Sequence, residues 1–130
     1  MEWELVIIKN YKKNLVKIDG KDIVLCHCYV ADTFFKRFKG LMLSSPLEKD
    51  EGLILTKTNS IHMFFMKYEI DVLFLDKNNI IIDKIVSMKR RRISKIYKSC
   101  SLVVELRSKT LINLNIEIGD KLIFIESPNE

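Results

Sequence analysis

The chain is poor in the residues that mark flexible or fibrous proteins. Its 130 residues include four glycines, two prolines and a single alanine, Ala31, and no segment is of low complexity, so disordered and fibrous classes are excluded. Isoleucine and valine together supply 26 residues, and β-branched residues favour strands over helices. The composition therefore predicts a mainly β protein. The length predicts one domain, residues 1–130, with enough core to fold without metal or disulfide staples.

Cysteines and membrane-targeting signals are also scarce. The three cysteines are Cys26, Cys28 and Cys100, and a single intervening residue on an extended strand is a poor geometry for a disulfide between the first two. Acidic Glu2 and Glu4 stand where a secretory signal would carry basic residues, and no apolar run approaches the ~18–20 residues of a membrane span. The sequence therefore predicts a soluble, cytoplasmic protein with free thiols and without a membrane span.

Apolar runs separated by turn residues predict a series of short strands. In the run 70–75 nearly every residue is apolar, which is typical of a strand buried on both faces. The turn 76–79, with two asparagines, predicts a hairpin to the next strand. The predicted strands are 5–8, 15–18, 23–30, 53–55, 61–66, 70–75, 80–88, 102–106 and 122–125.

Helical spacing occurs where the strand pattern stops. The four-residue interval between Phe34 and Phe38 predicts a short amphipathic helix near 32–40, with Gly40 as its end. A second short helix is predicted near 110–115. Several strands at a spacing of about 8–12 residues, with one or two helices, predict an antiparallel sandwich or a closed barrel.

Four short motifs occur in a fixed order between Cys28 and Ile125. They have the patterns R-x-x-G-L-M, H-x-F-x-M followed by I-D-V-x-F-x-D, V-V-E-L and x-G-D, and they begin at residues 37, 62, 103 and 118. Together they resemble a bacterial and archaeal family called domain of unknown function 192. The resemblance implies a compact, mainly β domain with a jelly-roll-like sandwich, and it implies no established activity.

The chain departs from that family's pattern at two turns. Tyr68 and Glu69 stand where the family carries a proline before Ile-Asp, and residues 107–109, Arg-Ser-Lys, replace Pro-x-Gly. The second turn is therefore expected to be built differently.

Asp71 is an acid within the apolar run 70–75. A buried carboxylate needs a partner, and the candidates are Arg37 at the helix end and His62 on the neighbouring predicted strand. An Arg37–Asp71 ion pair would pin the helix to the sheet. Alternatively, these residues with Met66 line a small polar pocket that binds an anion or a carbohydrate. Of the two interpretations, the structural pin is favoured.

Patterns for metal or covalent chemistry are absent from the sequence. His62 with two nearby methionines is more typical of core packing than of a copper(I) site, and Cys26 and Cys28 lack the spacing of a zinc site. No nucleophile elbow, glycine-rich phosphate loop or zincin motif occurs. The sequence therefore predicts no metal and no cofactor.

Positive charge is concentrated in one segment. Seven of the 22 basic residues lie within residues 84–98, which contain no acid, whereas the rest of the chain has 15 basic and 17 acidic residues. Such a segment can bind a phosphate backbone or an acidic protein surface, but charge runs are more often solvated surface or guards of a strand edge. The seven are Lys84, Lys89, Arg90, Arg91, Arg92, Lys95 and Lys98.

Three hypotheses of function follow from these features. The favoured one is a small binding or accessory module with a polar pocket near Arg37, His62 and Asp71, for an unknown small ligand or protein partner. The second is binding of nucleic acid or of an acidic partner by the basic loop, residues 89–98. The third and least favoured is an enzyme that uses His62 and Asp71.

Overall fold

The described part of the protein is mainly β. The computed structural model describes residues 11–42 and 46–127, and the strand predicted at 5–8 lies outside them. The described residues form seven strands and two short helices, which confirms the predicted class and both helices. In chain order the elements are β1 (Lys13–Ile18), β2 (Ile23–Ala31), α1 (Phe34–Lys39), β3 (Glu51–Thr56), β4 (Ile70–Leu75), β5 (Ile81–Met88), β6 (Leu102–Arg107), α2 (Thr110–Asn113) and β7 (Leu122–Glu126).

All seven strands belong to one mixed sheet in the order β5-β4-β6-β3-β2-β1-β7. Strands β2 and β3 are parallel, and the other neighbouring pairs are antiparallel. The parallel pair arises because the chain crosses over through α1 between these strands instead of turning in a hairpin. In place of the expected antiparallel jelly-roll-like sandwich or closed barrel, the described residues therefore form a single mixed sheet that is not closed.

The two edges of this sheet approach each other at one end. An isolated bridge pairs Ile80, beside β5, with Lys121, beside β7. There the N–H of Ile81 donates to the carbonyl oxygen of Asp120 at 2.9 Å, and the N–H of Gly119 donates to that of Ile81 at 2.8 Å. The sheet is therefore curved, although β5 and β7 do not pair along their length.

Both faces of the sheet are covered at strand β4. All six residues of β4 are buried, which confirms the prediction of a strand covered on both sides. Successive residues such as Val72 and Leu73 belong to different hydrophobic clusters, one on each face. Leu41 and Met63 cover the first face, and Leu111 of α2 covers the second. The candidate site described next lies on the first face.

Residues 61–66 form a loop instead of the predicted strand. A single bridge pairs His62 with Ile93. Phe65 has a φ of 61°, in the left-handed region that strand residues do not adopt. The predicted alternation fails because Met63 packs in the core while Phe65 is exposed.

Cys26 and Cys28 form a disulfide across His27, and both cysteines are buried. The prediction of free thiols is therefore wrong for this pair. The two side chains share one face of β2, and their Cα atoms are 5.6 Å apart, within the range that a disulfide bridges. Cys100 keeps a free, buried thiol that donates to the carbonyl oxygen of Leu102 at 3.3 Å. Burial raises the pKa of the Cys100 thiol, and the residue packs in the first hydrophobic cluster.

Gly52 lies where the sheet leaves no room for a side chain. A Cβ here would be 2.7 Å from Sγ of Cys28, 3.0 Å from the carbonyl oxygen of Glu105 and 3.1 Å from Cδ2 of Leu106. We expect Gly52→Ala to lower the free energy of unfolding in urea by about 2–3 kcal/mol, because the neighbours must shift. In a Cys26→Ala/Cys28→Ala background the loss should be smaller, since the sulfur is gone. An equal loss in both backgrounds would contradict the clash with Cys28.

Candidate ligand-binding site

A cavity of about 150 Å³ opens between α1, the loop before β4, and strands β3 and β6. Three of the four residues predicted to share a pocket, Arg37, His62 and Met66, lie in its wall, and Asp71 does not. Glu105, a residue that the sequence reasoning missed, also lines the cavity. Since Glu105 is almost completely buried, it marks the inner end.

The two ends of α1 place Arg37 in the cavity wall. At the start, the side-chain oxygen of Thr33 accepts a hydrogen bond from the N–H of Lys36 at 3.2 Å. At the end, Gly40 has a φ of 48°, and its N–H donates to the carbonyl oxygen of Lys36 at 2.9 Å. The chain then turns so that Leu41 enters the core. The predicted helix end at Gly40 is therefore confirmed, and it leaves Arg37 half-buried.

His62 is half-buried in the wall, between two phenylalanine rings. Its ring centroid is 6.4 Å from that of Phe38 and 5.7 Å from that of Phe64. The Nδ1 atom accepts a long hydrogen bond from the N–H of Phe64 at 3.3 Å. With Nδ1 accepting, the neutral imidazole carries its proton on Nε2, where it can donate to a ligand.

Glu105 is the buried acid of this cavity. It is 5% exposed and lies beside Leu53 and Val72, its partners on the neighbouring strands. Its Oε1 has no hydrogen-bond partner among the described residues. A Cβ on Gly40 would lie 3.8 Å from this oxygen, so the carboxyl group faces the helix end. Burial raises the pKa of Glu105 to about 8, and the group is therefore mostly a neutral carboxylic acid at pH 7.

The sequence pattern that singled out Asp71 also occurs around Glu105. It is the one acid in the predicted strand 102–106, whose other residues are apolar. Alternation puts Glu105 on the same face as Val103, and the structure places Val103 in the first hydrophobic cluster. An acid on a buried strand face is thus the signal that would have identified this residue.

Asp71 lies on the opposite face of the sheet from Glu105. In the pairing of β4 with β6, Glu105 is opposite Val72, the neighbour of Asp71, and successive strand residues point to opposite faces. The sheet therefore separates Asp71 from Arg37 and His62. The predicted Arg37–Asp71 ion pair is not formed in the described part of the chain. The pair that the enzyme hypothesis requires, His62 with Asp71, is not brought together either.

Asp71 instead joins β4 to β5 and to the start of α2. Its carboxylate accepts hydrogen bonds from the N–H groups of Ser87 at 2.7 Å, Lys109 at 3.1 Å and Leu111 at 2.8 Å. Ser87 and Lys109 have φ values of 50° and 74°, in the left-handed region that costs non-glycine residues free energy. Lys109 stands where the family pattern has glycine. The carboxylate thus holds a turn that glycine would adopt more easily.

Six of the seven predicted cations are exposed on the basic loop, residues 89–98. Lys84 is different, because it lies in β5, half-buried, and its Nζ donates to the carbonyl oxygen of Ile116 at 3.1 Å. Lys95 lies 4.8 Å from the ring centroid of Tyr97. Within the described residues no ion pair involves the loop, so its positive charge is not compensated locally.

The described residues contain neither a cluster of metal-ligating side chains nor a membrane-spanning helix. No group of three or more histidine, cysteine, aspartate or glutamate side chains that could hold a metal ion occurs in residues 11–42 and 46–127. No helix in these ranges is long and apolar enough to cross a membrane.

Family comparison accounts for the four motifs of the sequence. The model of the DUF192 family, described as "Uncharacterized ACR", matches residues 15–124. The chain belongs to this family. A UPF0127 protein of Pyrococcus abyssi is 34% identical over 125 residues, which cover 92% of this chain and 97% of that protein. The resemblance drawn from the motifs is therefore confirmed.

Some relatives of this DUF192 chain are longer. A UPF0127 protein of Thermococcus sibiricus is 41% identical over 100 residues, 72% of this chain and 62% of its own length. The chain spans about three fifths of the length of the Thermococcus relatives that it matches. A solved structure of a protein of unknown function from Novosphingobium aromaticivorans has a TM-score of 0.79 at 18% identity, covering 89% of this chain and 88% of that one. This likeness shows the shared fold.

Proposed function

We propose that this DUF192 protein is a small binding module whose cavity takes up a small, oxygen-bearing ligand with an anionic end. The observation that supports the proposal is Oε1 of Glu105, a buried polar atom without a hydrogen-bond partner among the described residues, in a side chain that lines the cavity. Burying such an atom without a hydrogen bond lowers stability. Each buried polar atom without a hydrogen bond in a native structure therefore calls for an explanation. Here a hydroxyl or carbonyl group of a ligand is the missing hydrogen-bond partner.

The other polar groups of the wall define the chemistry of the ligand. The neutral carboxylic acid of Glu105 can both donate to and accept from a hydroxyl group. Arg37 supplies a permanent positive charge, and His62 offers a donor at Nε2. Apolar Leu55 and Met66 line the same cavity and can pack against a short carbon skeleton. A short hydroxy acid matches this set, with its carboxylate at Arg37 and its hydroxyl group at Glu105.

The volume of the cavity and the charge of its side chains restrict the class of ligand further. The cavity volume of about 150 Å³ is below the roughly 300 Å³ at which sites for drug-sized molecules begin, so the ligand is small. Because Glu105 is mostly neutral at pH 7, it does not repel an anion there. An uncharged polyol would use Glu105 and leave Arg37 without a partner, so hydroxy acids should bind more tightly.

Thermal unfolding in the presence of glycolate or lactate tests this proposal. At about 100 times Kd, a ligand that binds only the folded state should raise Tm by roughly 5–10 °C. His62→Ala and Glu105→Leu should abolish the rise, because each removes a polar group of the cavity. Glu117→Gln, which changes an exposed acid after α2, should keep it.

Two controls make the result decisive. Sodium chloride at the same ionic strength separates specific binding from a salt effect, and glycerol tests whether an uncharged polyol is sufficient. The proposal is wrong if neither hydroxy acids nor glycerol change Tm, or if the rise persists in both cavity variants.

A second candidate function is binding of an anionic partner by the basic loop. The observation that favours it is the exposure of six cations that form no ion pair with any residue in 11–42 or 46–127, namely Lys89, Arg90, Arg91, Arg92, Lys95 and Lys98. Uncompensated charge of one sign attracts an oppositely charged partner and makes its binding dependent on salt. The two candidates use different surfaces, so one protein can have both functions.

A further inference from the structure

Four aromatic rings form a row on the surface beside the basic loop. The ring centroids of Phe34 and Phe38 are 6.3 Å apart, those of Phe38 and His62 are 6.4 Å apart, and those of His62 and Phe64 are 5.7 Å apart. The exposed fractions are 78% for Phe34, 60% for Phe38 and 42% for Phe64. These four residues are called the aromatic row.

The geometry of α1 explains why two of these rings face solvent. Phe34 and Phe38 are four residues apart in a helix and therefore lie on the same side of it. The positions that enter the core here are Lys39 and Leu41. The helix was predicted as amphipathic from the spacing of these two phenylalanines, but the structure leaves both on the solvent side and buries Lys39. A cluster of exposed large apolar side chains is typical of a binding surface.

Backbone hydrogen bonds hold the basic loop beside the aromatic row. The N–H of Met63 donates to the carbonyl oxygen of Arg92 at 2.7 Å, and the N–H of Arg91 donates to that of Met63 at 3.0 Å. The bridge between His62 and Ile93 continues this pairing. The basic loop is therefore hydrogen-bonded to the loop 61–66, which carries His62 and Phe64 of the aromatic row.

Arginine and phenylalanine side chains also share a surface depression of about 310 Å³. It is lined by Phe64, Phe65, Met66, Arg90 and Arg91. Phe65 is 71% exposed, and both arginines are exposed. Guanidinium groups and aromatic faces are therefore available to one ligand at the same place.

A ligand for this surface must offer flat apolar faces together with negative charge. Single-stranded nucleic acid offers both, since its bases stack on aromatic rings and its phosphates bind arginine. In a duplex the base faces are stacked on each other, so the rings cannot reach them. An acidic protein would bind the arginines without using the rings. The six residues of α1 are too short for the membrane-surface helices that combine phenylalanine with basic residues.

We propose that the aromatic row and the basic loop form one surface that binds single-stranded nucleic acid. The proposal rests on the second candidate function, binding of an anionic partner, and it names that partner. Phe38 and His62 also line the ligand cavity, whereas Phe34 and Phe64 do not, so the test substitutes only Phe34 and Phe64 in the row.

The test measures Kd of the full chain for a dye-labelled single strand of ~16 nucleotides, by fluorescence anisotropy at two salt concentrations. Phe34→Ala and Phe64→Ala should each weaken binding about tenfold and leave the salt slope unchanged, since stacking is not ionic. Arg90→Ala/Arg91→Ala should weaken binding and also reduce the slope, because fewer counterions are released. Ile123→Ala, which removes an exposed apolar side chain on β7, should leave Kd unchanged.

Polyglutamate and anionic lipid vesicles serve as competing anionic probes. The nucleic-acid proposal is overturned if polyglutamate or vesicles bind as tightly as the oligonucleotide, or if Phe34→Ala and Phe64→Ala leave oligonucleotide binding unchanged. In either case a salt slope would still support an anionic partner. If none of the three probes shows salt-dependent binding, both the proposal and the second candidate function fail. Circular dichroism of each variant confirms that it is folded before Kd is compared.

Discussion

Replacing Asp71 with alanine is expected to lower the free energy of unfolding by about 3–5 kcal/mol, similar to removing one partner of a buried ion pair. The substitution leaves the N–H groups of Ser87, Lys109 and Leu111 without their acceptor. Each buried donor without a partner costs about 1–3 kcal/mol. Two of these donors also have positive φ values, so their turns lose the bond that stabilises them.

Urea unfolding followed by circular dichroism measures this loss. Asp71→Asn keeps one acceptor oxygen, so its free energy of unfolding should fall less than that of Asp71→Ala. Asp32→Asn is the matched control, because Asp32 forms a surface pair with Lys36 at 3.6 Å, and it should change stability by less than about 1 kcal/mol. A loss for Asp71→Ala no larger than the loss for the control would contradict the structural role of this carboxylate.

The position of Asp71 affects how any future activity of the protein should be assigned. It is a prominent acid in the I-D-V-x-F-x-D motif and is therefore an obvious target for mutagenesis. Asp71 is buried on the face opposite the cavity, where its carboxylate accepts hydrogen bonds from three backbone N–H groups. Loss of function in an Asp71 variant would therefore report loss of folding. Glu105 is the acid whose substitution tests the cavity.

The stability of the wild-type protein is expected to fall as pH rises from 4.5 to 8, because burial raises the pKa of Glu105 from 4.5 to about 8. Between these values the folded protein keeps the proton while the unfolded chain has released it. Each pH unit therefore lowers the free energy of unfolding by about 1.4 kcal/mol, and the whole contribution is roughly 4–5 kcal/mol. It is fully present below pH 4.5 and is lost as pH rises through 8.

A comparison with Glu105→Gln isolates this contribution from those of other groups. Glutamine does not titrate. The difference in unfolding free energy between wild type and variant should therefore fall by about 1.4 kcal/mol per pH unit from pH 5 to 8 and then level off. Glu117→Gln changes an exposed acid and should follow the wild-type curve. Parallel curves for wild type and Glu105→Gln over this pH range would show that Glu105 is not a buried, neutral acid.

Three features that depend on neighbours in the sequence were predicted correctly. The turn 76–79 forms the expected hairpin, and Asn79 has a φ of 65°, which asparagine tolerates. Gly40 ends α1 in a positive-φ conformation. The apolar run 70–75 is buried throughout, because a strand without a polar face needs cover on both sides.

Features that depend on distant segments were not predicted. Residues 61–66 have an alternating apolar pattern, but their bridge is to Ile93, in a loop, and Phe65 turns the chain. The parallel pairing of β2 with β3 requires knowing that α1 returns the chain in the same direction. One local feature was also missed, because the spacing of Cys26 and Cys28 was interpreted as a poor geometry for a disulfide, although their Cα atoms are 5.6 Å apart.

The sequence by itself determined the family, the mainly β class, the ends of α1 and the place of the positive charge. Residue types and interactions over a few positions are sufficient for these. Only the tertiary structure decided that Asp71 and Glu105, the two acids buried in the described part of the chain, have different roles on opposite faces of one sheet. Asp71 is satisfied by donors 16, 38 and 40 positions away in the sequence, whereas Oε1 of Glu105 has no hydrogen-bond partner among the described residues, and Glu105 lines a cavity. Packing brings those donors to one acid and not to the other, so the local sequence around each acid cannot distinguish them.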